Sequence, residues 1–186
     1  GDELISIFKT TGNDNIFLAT RNGMAICFNE NDARAVGRTA SGVKAIDLAD
    51  GDYVVGAEPV REDSKVLLVT DGGYGKCTDL TSFRIQHRGG KGLKAYKITE
   101  KTGNIIGISM VNDSEELIMV TSEGVVIRIR IKDIATTTGR ITQGVRLINL
   151  DDGVTVVSMD KISAEDAVEE ESEENNTEVT TETTEE

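Results

Sequence analysis

The sequence predicts an all-β, propeller-like array of repeats about fifty residues long, with four strands per blade, on three observations. The chain repeats itself: Gly23-Met24, Gly73-Tyr74 and Gly124-Val125 follow Thr20, Thr70 and Thr121 at spacings of 50 and 51 residues. Within each repeat, short apolar runs meet at glycine-containing turns, which is strand and hairpin patterning. No segment shows the 3.6-residue period of an amphipathic helix.

In the first unit, Leu4–Phe8 is the first expected strand, Asn15–Thr20 the second and Met24–Phe28 the third. The second and third meet at Arg21-Asn22-Gly23, where Asn-Gly supplies the positive φ angles of a tight hairpin. Asp71-Gly72-Gly73 and Ser122-Glu123-Gly124 stand there in the later units. A polar loop follows, and then a fourth strand over Val43–Leu48. Its motif Gly42-Val43-Lys44-Ala45-Ile46 returns as Gly92-Leu93-Lys94-Ala95-Tyr96 and as Gly144-Val145-Arg146-Leu147-Ile148. Units open at Gly1, Gly51 and Gly103, with one more strand after Gly153. The only proline, Pro59, falls near the end of a first strand, which an edge position tolerates. The expected blades are thus about 1–50, 51–102 and 103–152, with a final strand at 153–162. Trp-Asp repeats are excluded because the chain has no tryptophan, and the paired glycines and aromatics of kelch blades are missing.

The formal net charge of −13 argues against a nucleic-acid partner until its distribution is read. Residues 163–186 hold eleven acids and no Lys or Arg, and they lack aromatics, so an unstructured acidic tail is expected. Residues 1–162 keep 22 acids against 20 bases, so the body is near neutral and can carry a basic stripe. The repeats place cations at matched positions. Arg38, Arg88 and Arg140 stand four residues before the repeated glycine, and Lys44, Lys94 and Arg146 two after it. Equivalent positions recur along one edge of a blade array, where they would meet the phosphates of a duplex following that edge. The alternative is ordinary solvated surface charge on a protein-interaction module.

The second unit elaborates the pattern into Gln86-His87-Arg88-Gly89-Gly90-Lys91-Gly92, a loop whose glycines let backbone N–H groups approach a phosphate. This heptapeptide resembles the gyrase A box, Q-[RK]-R-G-G-[RK]-G, with His87 at the second position. Gly73-Tyr74-Gly75-Lys76 and Thr142-Gln143-Gly144-Val145 carry the likeness along residues 1–160. The family is the C-terminal DNA-wrapping domain of the DNA gyrase A subunit. The resemblance implies a β-pinwheel, usually a disc of six blades that exchange strands, with duplex DNA wrapped around a basic rim. It implies as partners the gyrase B subunit, together with the rest of the gyrase A subunit, in an A2B2 holoenzyme that introduces negative supercoils at the expense of ATP. The related topoisomerase IV subunit generally lacks an intact box, which favours gyrase. The box falls in the second unit here, so the chain corresponds to the last three to four blades. Family members often carry arginine where Cys27 and Cys77 stand; Arg128 occupies that place in the third unit, and with Arg130 it joins the expected DNA contacts.

Catalysis is not expected of this segment. His87 is the only histidine, and Gly72–Lys76 lacks the spacing of an ATP-binding loop. The cleavage tyrosine of the family belongs to another region, and Tyr53, Tyr74 and Tyr96 read as strand residues. Asp47, Asp50 and Asp52 suit turns better than calcium. No cofactor, metal, small-molecule substrate or membrane span is expected, and two unpaired cysteines suit the cytoplasm.

Overall fold

The computed structural model describes residues 3–163, so the expected tail lies almost wholly outside the described residues. Twelve strands follow one another: β1 (Asn15–Thr20), β2 (Met24–Asn29), β3 (Val54–Pro59), β4 (Lys65–Thr70), β5 (Tyr74–Asp79) and β6 (Leu93–Lys94); then β7 (Ile105–Val111), β8 (Glu116–Thr121), β9 (Val126–Arg130), β10 (Thr136–Thr137), β11 (Val145–Arg146) and β12 (Val156–Ile162). The hairpins β1–β2, β4–β5 and β8–β9 stand where the turn chemistry places them. The repeated threonine now has a reason. Thr20, Thr70 and Thr121 are buried, and each hydroxyl accepts a hydrogen bond across the turn, from the N–H of Met24, Tyr74 and Val125 respectively.

The sheets do not follow the sequence units. The first has the order β3-β1-β2-β6; the second runs β10-β5-β4-β7 with β11 also on β5; the third is β12-β8-β9. Each hairpin takes its flanking strand from the start of the next unit, and the first two also take the last strand of that unit. Two expected strands are corrected by this rule. Leu4–Phe8 is not a strand, because no described hairpin precedes it; Ser6 only accepts a hydrogen bond from the Ala57 N–H at 3.3 Å. Val43–Leu48 is not a strand for the same reason, and its counterparts β6 and β11 shorten to two residues each. Tyr53 and Tyr96 fall just outside strands, whereas Tyr74 opens β5. One 3₁₀ turn per unit, at Glu30–Asp32, Leu80–Ser82 and Ile131–Asp133, is too short to show a helical period in the sequence.

The strands β3, β7 and β12 lie side by side, and with Ile5–Phe8 they line one central cleft. They are the inner ends of the three sheets, which makes β6 and β11 outer ends. Phe17 meets Phe83 edge-on at 4.8 Å in a core shared by the first two sheets, with Tyr96, Ile105 and Met110. Leu67, Val69, Leu117, Met119 and Ile131 fill the core between the second and third. Central β4 is buried on both faces after its first residue, whereas β8 alternates, since no described sheet covers its far face. Lys161 of β12 donates to Glu58 of β3 at 3.2 Å and to the Met110 carbonyl at 2.8 Å, tying three units together at the centre.

Candidate nucleic-acid interface

The outer edge of each of the first two sheets is built by a glycine that can approach a neighbouring hairpin closely. Gly92 has φ +73°, and a Cβ on it would stand 2.4 Å from the Ala25 carbonyl oxygen of the preceding hairpin. Gly144 repeats the arrangement against Gly75. These approaches seat β6 against β2 and β11 against β5, so Lys94 and Arg146 lie on the outermost strands.

The box loop is anchored between the first hairpin and the 44–47 segment. Gln86 N–H donates to the Cys27 carbonyl at 2.7 Å, Gly89 N–H to Ala45 at 2.6 Å, and Asp47 N–H to the Gly90 carbonyl at 2.9 Å. Arg88 is a strut in this anchorage. Its Nε donates to the Asp32 carbonyl at 2.7 Å and its Nη1 to the Lys44 carbonyl at 3.0 Å. Gln86 turns its amide oxygen into the protein. Among the box side chains, His87 and Lys91 are exposed; His87 Nδ1 lies 3.2 Å from an Asp32 carboxylate oxygen. Lys44 is exposed and donates to Asp47 at 2.8 Å, a contact that holds the Asp47 carboxyl below its usual range.

The remaining expected contacts divide by engagement. Arg38 and Lys94 are exposed, and Arg140 is half-buried. Arg146 grips the Tyr74 hydroxyl through Nη2 at 2.9 Å and Nε at 3.1 Å, and Asn149 through Nη1 at 2.9 Å. That grip lowers the Tyr74 pKa from its ordinary value. Arg128 pairs with Glu116, and Arg130 with Asp133 at 2.8 Å, so both cations of β9 are opposed by carboxylates. Two further basic residues stand outside the matched triplets: Arg84 has a counterpart only in Arg34 of the first unit, and Lys76 has none. Arg84 lines a cleft with Arg140, and Lys76 is fully buried beneath the 139–142 loop. In the sequence, Lys76 is marked by the Gly73–Lys76 motif and by the change from Ile26 to Lys76 to Ile127 at one repeat position.

Cys27 and Cys77 are buried in separate cores, and burial pushes both thiols up to about 11. Iodoacetamide at pH 8 is therefore expected to leave the native chain unlabelled and to modify both thiols once urea unfolds it. Rapid native labelling would contradict the burial. Among the described residues no group of three or more His, Cys, Asp or Glu is placed to hold a metal ion, and no helix is long and apolar enough to cross a membrane.

A family model described as the DNA gyrase C-terminal domain, β-propeller, matches residues 14–61, 64–112 and 115–163. Each match spans one hairpin and the first strand of the next unit, which are the three long strands of one sheet. The chain is 46% identical over 167 residues to the DNA gyrase A protein of Staphylococcus epidermidis, covering 89% of this chain and 19% of the relative. It is 46% identical over 159 residues to the DNA gyrase A protein of Ureaplasma parvum, covering 86% and 19%. Among solved structures, a C-terminal domain of DNA topoisomerase IV superposes with a TM-score of 0.80 at 27% identity, covering 91% of this chain and 53% of that one. A DNA gyrase A C-terminal domain superposes with a TM-score of 0.75 at 26% identity, covering 81% and 51%. The chain thus spans about a fifth of the curated relatives' length and about half of the solved domains'.

Proposed function

Because the chain belongs to the DNA gyrase C-terminal β-propeller family, we propose that its outer edge binds and bends duplex DNA through the phosphate backbone. The reading rests above all on one observation: successive sheets end outward in strands that carry a cation, Lys94 on β6 and Arg146 on β11. The box loop adds exposed Lys91, and the 44–47 segment adds Lys44. Phosphate contacts position a duplex without reading its sequence. Bending 20–30 base pairs by 40–90° costs on the order of 1–6 kcal/mol, which these contacts have to offset. Within a gyrase holoenzyme of A and B subunits, such a bend would present the wrapped segment for strand passage, supporting ATP-dependent negative supercoiling with no catalytic group from this segment.

The chain is expected to bind a duplex of about 40 base pairs at micromolar concentration or below. With about six phosphates neutralised, log K should fall against log salt with a slope of roughly −5. No binding at low salt would mean either that blades outside this chain carry the function or that this is a protein-interaction module. The likeness to the topoisomerase IV domain supports a second reading, in which DNA binds without chiral wrapping. Ligation of nicked circles in the presence of the chain separates the two, since only wrapping shifts the linking number.

A further inference from the structure

Between the outer ends of the first and second sheets lies a cleft of about 610 Å³, lined by Thr81, Ser82, Arg84, Thr138, Arg140 and Ile141, with Leu93 of β6 beside them. None of the described residues lining it is acidic. Beneath it sits Lys76, with no exposed surface. Its ammonium donates to the Arg140 carbonyl at 2.6 Å, the Thr142 hydroxyl at 3.1 Å and the Gly139 carbonyl at 3.5 Å, which occupies its three protons. The Tyr96 ring lies 5.2 Å away.

Burying a lysine without a carboxylate is costly, and packing does not demand it here. The first and third units place Ile26 and Ile127 at the same repeat position, and Ile26 is buried in an apolar cluster with Ile46. The lysine therefore serves something the other units lack. What it does locally is hold the 139–142 loop down, so that Arg140 faces Arg84 across the cleft and a third positive charge lies below.

We propose that this cleft seats one backbone phosphate of the duplex, bound by Arg84 and Arg140, with Lys76 as the positioning residue that holds the Arg140 loop. The inference rests on the DNA-binding reading and adds a subsite to it. The cleft lies between the outermost strands, β6 and β11, on the path a duplex takes from Lys94 to Arg146. Leu93 and Ile141 give the flanking sugars apolar walls.

The cluster has a titration signature. Burial, with repulsion from Arg140, pushes the Lys76 pKa down to about 8. The other titratable group against it, Tyr96, is pushed upward by burial and stays neutral in this range. A bound phosphate favours the ammonium. Below pH 8 the lysine is charged in both free and bound states, so affinity is flat. Above pH 8 the free protein has lost a proton that binding must restore, so affinity falls several-fold between pH 7 and 9.5.

The full chain, Lys76→Met and Arg84→Gln are to be titrated with a 40-base-pair duplex at pH 7, 8, 9 and 9.5. Arg84→Gln, on the surface, should bind several-fold more weakly with a salt slope shallower by about 1. Lys76→Met should bind several-fold more weakly at pH 7 and lose the decline above pH 8; the lowered Tyr74 pKa is common to both proteins and cancels in the comparison. Binding by all three proteins with equal affinity and one shared pH profile overturns the subsite and leaves the DNA reading standing. Absence of binding by the unaltered chain removes both. Should Lys76→Met not fold, an unchanged Arg84→Gln alone overturns the proposal.

Discussion

Gly92→Ala is expected to destabilise the chain by about 3 kcal/mol, and Gly42→Ala by only about 1–2 kcal/mol, although both glycines have φ +73°. The conformational penalty for an L-residue in the left-handed region is shared by the two. The difference lies across the unit boundary. A methyl on Gly92 would stand 2.4 Å from the Ala25 carbonyl oxygen, a backbone atom held in β2, whereas nothing lies within 4 Å of Gly42. Relief requires β6 to withdraw from β2, which loses the Leu93–Ala25 and Lys94–Met24 pairings and loosens the box loop beside them. Urea unfolding of the two variants measures this directly. Equal losses would mean that the close approach does not hold the sheets together.

Replacing Lys44, Lys91 and Lys94 together by glutamine is expected to weaken DNA binding on the order of a hundredfold at low salt, and to make the log–log salt slope shallower by about 3. These three are exposed and neighbours along one outer edge, and the carboxylate beside them, Asp47, which pairs with Lys44 and also feels Lys91, lies at the surface where such interactions are worth little. Arg88→Ala should behave differently. It leaves the Asp32 and Lys44 carbonyls without their donor, so it should lower stability as well as affinity, while Lys91→Ala should lower affinity alone. A triple variant that binds like the parent would place the DNA on another face.

The hairpins were legible because their signals are local: an Asn-Gly or Gly-Gly turn between apolar runs, with a threonine whose hydroxyl closes the turn. The repeated glycine was legible as a repeat, but its reason was not, since the atom it must avoid belongs to the previous unit. Leu4–Phe8 and Val43–Leu48 have strand-like sequences and no strand structure, because a strand needs a partner and theirs is a preceding hairpin. The box was legible as a motif; that Arg88 and Gln86 face inward was not, because their partners are backbone groups and the interior, which leave no trace in side-chain identity.

By itself the sequence determined the all-β repeat class, the three hairpins, the family likeness and the matched spacing of the cations, since each follows from periodicity or turn chemistry within a few residues. The tertiary structure alone decided which unit supplies each strand and which cations are committed to carbonyls or carboxylates. It also decided that Arg84, Arg140 and Lys76 converge. Strand exchange brings together residues about fifty positions apart through backbone hydrogen bonds, and such bonds are indifferent to the side chains a sequence displays.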